Sequence, residues 1–242
     1  MLDRLKRRTM KLDMMMRTAG FIAVLATLTG GGAIANEAPA KPNFIFLMAD
    51  DLGYGDTGFN GNKVIRTPHL DAMARDGIRF TRFYSLGPVC APTRASCLTG
   101  RHYMRFGMMH VNIGKLPSQE ITLAKACQAS GYATGHFGKW HLGAMSRTES
   151  PRHKNPAETF APPWARDYDD AFATEISVPT WNPASGRFKN HDSPYWHNGE
   201  KVTDNLEGDD SRVIMDRAIP FIRTAHAADK PFMATIWFHA PH

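Results

Sequence analysis

Between Pro42 and the pair Asp50-Asp51 the chain reads Asn43-Phe-Ile-Phe-Leu-Met-Ala49, with no alternation of apolar and polar side chains. A short run that is apolar on both faces reads as a central parallel strand. Phe232-Met-Ala-Thr-Ile-Trp-Phe238 repeats the pattern far along the chain and reads as a second buried strand. Parallel strands need crossovers, so helices have to cover both faces of the sheet they form.

The segments between these runs supply candidates. Thr67-Pro68 opens a helix through about Asp76, with Thr67 as cap, Pro68 in the first turn and Gly77 as the stop. Ile78–Tyr84 alternates like a strand, and Pro92–Leu98 reads as the start of a helix. Ser118–Ser130, ended by Gly131, is a further helix with Ile121, Leu123, Ala124 and Cys127 facing inward. Tyr132–Phe137 is a strand, and Asp209–Ala227 a helix kinked at Pro220. The stretch 144–208 is rich in Pro, Asn, Asp and Gly and reads as long loops with a short hairpin at most. Strand and helix alternate, so the class is α/β with a mostly parallel sheet. The chain ends at Ala240-Pro241-His242 directly after a strand, where such a domain is expected to continue.

Composition narrows the possibilities. With 242 residues, 43% of them hydrophobic and 21% charged, the chain has material for one large core or two small ones, and disorder is excluded. Three cysteines exclude a fold built on disulfides. The net charge of +6 is concentrated at the start, because residues 1–35 hold six Lys/Arg against two Asp/Glu. The remaining 23 basic and 21 acidic residues leave too little excess for a nucleic-acid footprint. Basic residues Arg4 to Arg17, the apolar Phe21–Leu28 and the small-x-small Ala33-Ile34-Ala35 read as a signal peptide, residues 1–35. The apolar run is too short for a stable membrane span. The expectation is an exported protein, periplasmic or secreted, whose mature chain starts near Asn36.

Four clusters carry chemistry. Asp50 and Asp51 sit where a buried strand ends, the usual ligand position in open α/β sheets. Adjacent carboxylates there call for a hard divalent cation, unless one simply caps a turn. In Cys90-Ala-Pro92-Thr-Arg94, Pro92 favours a helix opening just after Cys90, where free N–H groups stabilise an anion and Arg94 can reach back. The competing reading is a buried structural thiol, which is also the simplest account of Cys127. A Cys90–Cys97 disulfide is too long a reach if both are helical. Lys139 and His141 follow a strand and offer a fixed positive charge and a proton-exchanging ring, or else a surface loop around a packed Trp140. His239 and His242 follow the last strand as metal ligands, catalytic groups or loop residues. No zinc motif is present.

Taken together, Asp50-Asp-Leu-Gly-Tyr-Gly-Asp56, Cys90-x-Pro-Thr-Arg94 with Leu98-Thr-Gly-Arg101, and Gly138-Lys-Trp-His-Leu-Gly143 resemble the type I, formylglycine-dependent sulfatases. The likeness runs from about Pro42 to His242, is dense over 43–143 and thin over 144–210. It implies an alkaline-phosphatase-like sandwich, here residues 36–242 as the N-terminal and incomplete part of a sulfatase catalytic domain. It also implies hydrolysis of sulfate esters. Cys90 would be converted to formylglycine by a formylglycine-generating or sulfatase-maturing enzyme, with Pro92 and Arg94 in its recognition sequence. One hydroxyl of the hydrated aldehyde would attack sulfur and the other would release sulfate. Asp50, Asp51 and the modified Cys90 would hold Ca2+. Arg94 would steady that centre, Lys139 would bind a sulfate oxygen, and His141 would hydrogen-bond the diol. His242, rather than His239, would meet the leaving oxygen.

The family's further calcium ligands and second sulfate-binding lysine have no counterpart in these residues, so the chain as it stands is expected to be inactive or poorly folded. Phe137 replaces a small aliphatic residue, which reads as a packing variation. Trp164, Tyr168, Trp181, Tyr195 and Trp196 either pack the 144–208 loops or stack on sugar rings; packing is favoured, and a sulfated glycan is the preferred substrate over an aryl sulfate. The rival readings are a phosphate or phosphonate monoester hydrolase on the same scaffold and an exported glycan-binding protein without turnover.

Overall fold

The computed structural model describes residues 41–185 and 193–242. The leader expected over 1–35 lies outside them. Six strands form one sheet: β1 (Phe44–Asp50), β2 (Ala133–Lys139), β3 (Asp170–Thr174), β4 (Tyr195–His197), β5 (Glu200–Lys201) and β6 (Phe232–Pro241). Their order is β1-β6-β2-β3-β4-β5. The first three pairings are parallel and the last two antiparallel. Among the described residues five α-helices accompany them: α1 (Pro68–Asp76), α2 (Cys90–Thr99), α3 (Leu123–Ala129), α4 (Pro156–Thr159) and α5 (Asp210–Ala227).

Period-two side-chain direction divides the core between the faces of the sheet. On β6, Met233 and Trp237 join Ala91, Ala95 and Leu98 of α2 and Ala124 and Cys127 of α3. Phe232, Ala234 and Ile236 join Val213, Ile214 and Ala218 of α5 on the other side. Truncating a buried side chain as large as Trp237 costs about 3–5 kcal/mol in cores of this kind. β2 runs centrally and is buried throughout. Its Gly138 has φ +106, and a Cβ there would lie 2.0 Å from the Trp237 carbonyl oxygen, so only glycine lets β2 approach β6 immediately before Lys139.

Several expectations are corrected. β1 is parallel, but among the described residues it is the edge strand, with Ile45 and Leu47 about half exposed at 49% and 51%. Among the described residues only β6 pairs with it, and they leave this apolar run partly exposed. Residues 78–84 form no strand: alternation needs a partner strand, and Ile78, Phe80 and Tyr84 are exposed. The helix expected from Ser118 starts only after Thr122, whose hydroxyl accepts from Lys125 N at 3.0 Å, and Ile121 is left exposed. Thr67 does not cap α1; its hydroxyl accepts from Gly58 N and donates to Asp71. β3 lies within the stretch read as loop, because the Ala-rich Asp170–Thr174 has little strand signature, while the β4–β5 hairpin is there. Tyr168, Tyr195 and Trp196 are buried and Trp164 packs against the core, whereas Trp181 is exposed. The helix expected over 209–227 is present as α5, with Pro220 inside it. The three cysteines are unpaired, with Cys127 buried.

Under α2, His136 is wholly buried, with Nδ1 2.8 Å from Thr235 Oγ1. Burial, reinforced by the nearby Arg94 charge, lowers its pKa from 6.5 to about 3. The folded protein therefore keeps this ring neutral while the unfolded chain protonates it below 6.5. Its contribution is full above that pH and is lost as pH falls toward 3. Urea unfolding at pH 7.5 and 5.5 is expected to give a lower midpoint at the acid pH. In His136→Gln, which takes up no proton, the midpoint is expected to fall less between the two.

Candidate active site

The parallel register brings the chemistry together. β1 and β6 lose register between Met48 and Asp50, which sets Asp50 opposite Pro241, one residue before His242. Lys139 ends β2, the strand on the other side of β6. Cys90 opens α2, after a Val89 cap that makes no side-chain bond, and Pro92 sits in the first turn, where a missing N–H costs nothing. The helix N-terminus thus faces the carboxyl ends of the strands.

Asp50 is the hub. Arg94 Nη2 donates to its Oδ1 at 2.7 Å and Lys139 Nζ to its Oδ2 at 2.6 Å. All three side chains are buried, at 3%, 1% and 0% exposure. Arg94 Nη1 also donates to the Lys139 carbonyl at 3.1 Å, and its guanidinium lies 5.0 Å from the Trp237 ring centroid. Lys139 Nζ donates to Cys90 Sγ at 3.2 Å, and that sulfur is 3.8 Å from Asp50 Oδ1. Burial pushes the Asp50 carboxyl up, but the Arg94 and Lys139 charges outweigh it and hold the pKa below the usual range. Two buried cations thus face one buried carboxylate, and the Lys139 ammonium beside Cys90 offers a fixed positive charge to an anionic group.

His242 closes the outer side, its Nδ1 3.5 Å from Asp50 Oδ2 and its Nε2 3.4 Å from Asp51 Oδ2. His239 points elsewhere: it is fully buried, with Nδ1 2.7 Å from Asp210 Oδ2 and Nε2 2.9 Å from Thr174 Oγ1. His141 is held through its backbone, whose N–H donates to the Glu175 carbonyl at 3.0 Å. Burial, then the Lys139 and Arg94 charges, push its pKa well below 6.5, so the ring is neutral. Asp51 and His141 have positive φ, 62° and 60°. Asp and His tolerate that region better than bulkier residues, and it turns both side chains out of the strand direction.

Two cavities meet at Cys90. One, of about 730 Å³, is walled mainly by apolar side chains such as Phe46, Met48, Phe83 and Trp237. The other, of about 340 Å³, is lined by Asp51, Cys90, Lys139, His141 and His242. Asp50 and Arg94 line the larger one, while Lys139, His141 and His242 line the smaller. Asn112, Arg152 and Ser177 also line it and were not singled out from sequence, where each carries only a loop signal. Among the described residues, one oxygen from each of Asp50 and Asp51 and the Cys90 sulfur lie within 4.8 Å of one another. The carboxylate oxygens are the hard donors that a divalent cation prefers, and an oxygen in place of the Cys90 sulfur would complete a hard set.

The family model described as Sulfatase matches residues 42–242. The chain is 45% identical to steryl-sulfatase of Mus musculus over 130 residues, 50% of this chain and 21% of the relative. It is 34% identical to arylsulfatase G of Rattus norvegicus over 219 residues, 83% of this chain and 41% of the relative. N-acetylgalactosamine-6-sulfatase of Rattus norvegicus is 33% identical over 237 residues, 90% of this chain and 43% of the relative. The chain thus spans less than half the length of these curated relatives. Among solved structures, Ps i-CgsB superposes with a TM-score of 0.69 at 28% identity, covering 84% of this chain and 46% of that one. The alkaline-phosphatase-like arrangement of a mostly parallel sheet between helices is therefore the fold of this chain.

The hub makes a stability prediction. Asp50→Ala leaves two buried cations without a counter-charge and is expected to cost about 3–5 kcal/mol. Asp51→Ala removes an exposed carboxylate and is expected to cost under about 1 kcal/mol. Urea unfolding of both variants without added metal measures the difference; equal costs would contradict the hub.

Proposed function

The chain belongs to the sulfatase family, and from that membership we propose that the whole protein hydrolyses sulfate esters, with Cys90 converted to formylglycine and a calcium ion beside it. The observation that carries this reading is Cys90 at a helix N-terminus with Lys139 Nζ 3.2 Å from its sulfur and Asp50 pinning that ammonium. Once oxidised by a sulfatase-maturing enzyme, residue 90 supplies a hydrated aldehyde, whose hydroxyls serve as nucleophile toward sulfur and as the means of releasing sulfate. Asp50, Asp51 and the oxygen of residue 90 would hold calcium, which supplies positive charge to polarise the ester. An intact thiol is a poorer calcium ligand, so the donor set favours the oxidised form.

The chain's own residues do the rest. Lys139 presents a fixed positive charge to a sulfate oxygen, and Asp50 keeps its long side chain in one place. Arg94 ties Asp50 to the Lys139 backbone, so helix, β1 and β2 hold one geometry. His141, kept neutral, accepts a proton in the cavity wall. His242, at 43% exposure, stands at the outer edge, where a leaving alcohol departs, and assists its protonation.

A sulfated carbohydrate is the proposed substrate class. Support comes from similar structures with bound sugars: Ps i-CgsB with k-i-k-neocarrahexaose, 28% identical, and BT4656 with its substrate D-glucosamine-2-N,6-O-disulfate, 25% identical. Of the five aromatics considered for stacking, Trp181 at 66% exposure is the one open to a ring. Export to the periplasm or medium is proposed on the leader pattern alone; no helix among the described residues is long and apolar enough to cross a membrane.

The test is the mass of the tryptic peptide Phe83–Arg94 from protein made in its own host. An aldehyde mass at position 90 is expected; an intact thiol would overturn the proposal and favour glycan binding or phosphate-ester hydrolysis. Calcium has a separate check. Chelation with EGTA is expected to abolish turnover of a nitrophenyl sulfate, and added Ca2+ to restore it.

A further inference from the structure

Asn112 lies in a turn-rich segment far from the motifs in sequence, yet its side chain meets His141. Its Oδ1 is 3.0 Å from His141 Nε2, and the opposite ring nitrogen, Nδ1, is buried without a partner. Both residues line the cavity with Cys90 and Lys139. Asn112 is held for this contact by a left-handed backbone, φ 58°, and by the Leu116 N–H, which donates to the Leu142 carbonyl at 2.8 Å and ties this segment to the residue after His141.

A carboxamide oxygen only accepts, so the hydrogen in this contact belongs to Nε2. A neutral imidazole carries one N–H, which leaves Nδ1 with the lone pair. We propose that Asn112 is a positioning residue that fixes His141 as the Nε2–H tautomer and makes Nδ1 the proton-accepting atom of the cavity. The contact orients the ring through the nitrogen that does no chemistry, as the partner of a catalytic histidine does. The consequence for turnover rests on the sulfatase reading; the tautomer itself does not.

The test reads the tautomer directly. The protein is labelled with ¹⁵N-histidine, and the His141 ring signals are assigned by their loss in His141→Gln. Wild type is expected to show a pyrrole-like Nε2 and a pyridine-like Nδ1. Asn112→Gly, which keeps the positive φ without strain, is expected to show averaged or reversed shifts, and Asn112→Asp to retain the wild-type pattern. A pyrrole-like Nδ1 in wild type, or an unchanged pattern in Asn112→Gly, would overturn the proposal. For turnover of a sulfate ester, Asn112→Gly is expected to lower kcat roughly 10–100-fold with KM little changed, and Asn112→Asp to recover most of it. An unchanged kcat in Asn112→Gly would also overturn the proposed role. A wild type with the expected tautomer but no sulfate turnover would instead count against the sulfatase reading.

Discussion

One carboxylate shared between two buried cations organises this molecule's chemistry. Asp50 accepts from Arg94 on one oxygen and from Lys139 on the other, in a place where neither cation reaches water. Desolvating an ammonium and a guanidinium costs several kcal/mol each unless a well-placed anion answers them. Among the buried groups one anion answers two cations, so the Lys139 ammonium remains as a fixed positive charge beside Cys90. The arrangement that makes the pair tolerable in the core therefore also presents the Lys139 ammonium to the cavity.

The sheet makes that sharing possible. β6 lies between β1 and β2, so Asp50 and Lys139 end strands on either side of it and lean toward each other across its carboxyl end. Gly138 permits the close approach of β2 to β6, and the register change after Met48 turns Asp50 toward Pro241 and His242. Trp237 supports the Arg94 guanidinium from below. Each of these features acts on the same few side chains, and none of them is a loop that could drift without disturbing the core.

Much of this was legible from local patterns. Apolar runs at 44–49 and 232–238 identified strands, and Pro92 with Cys90 identified the start of a helix. What failed was information held by partners. Ile78–Tyr84 has a strand's alternation but nothing to pair with, while Asp170–Thr174 has a strand's place and little of its pattern. Nothing in β1 announced that its faces would lie open among the described residues. Local pattern does not separate His239 from His242, and the preference for His242 rests on the family resemblance; Asp210 and Thr174, from distant elements, draw His239 inward. Asn112 had no signal beyond a turn, because its role depends on a histidine 29 residues away.

On the proposed function, these buried charges serve sulfate-ester cleavage at residue 90. Steady-state turnover of paired nitrophenyl sulfate and nitrophenyl phosphate esters, by protein from its own host and by Cys90→Ala, tests it most directly. The sulfate ester is expected to be the better substrate, and Cys90→Ala to abolish its turnover. Preferential hydrolysis of the phosphate ester, or sulfate turnover that survives Cys90→Ala, would contradict it.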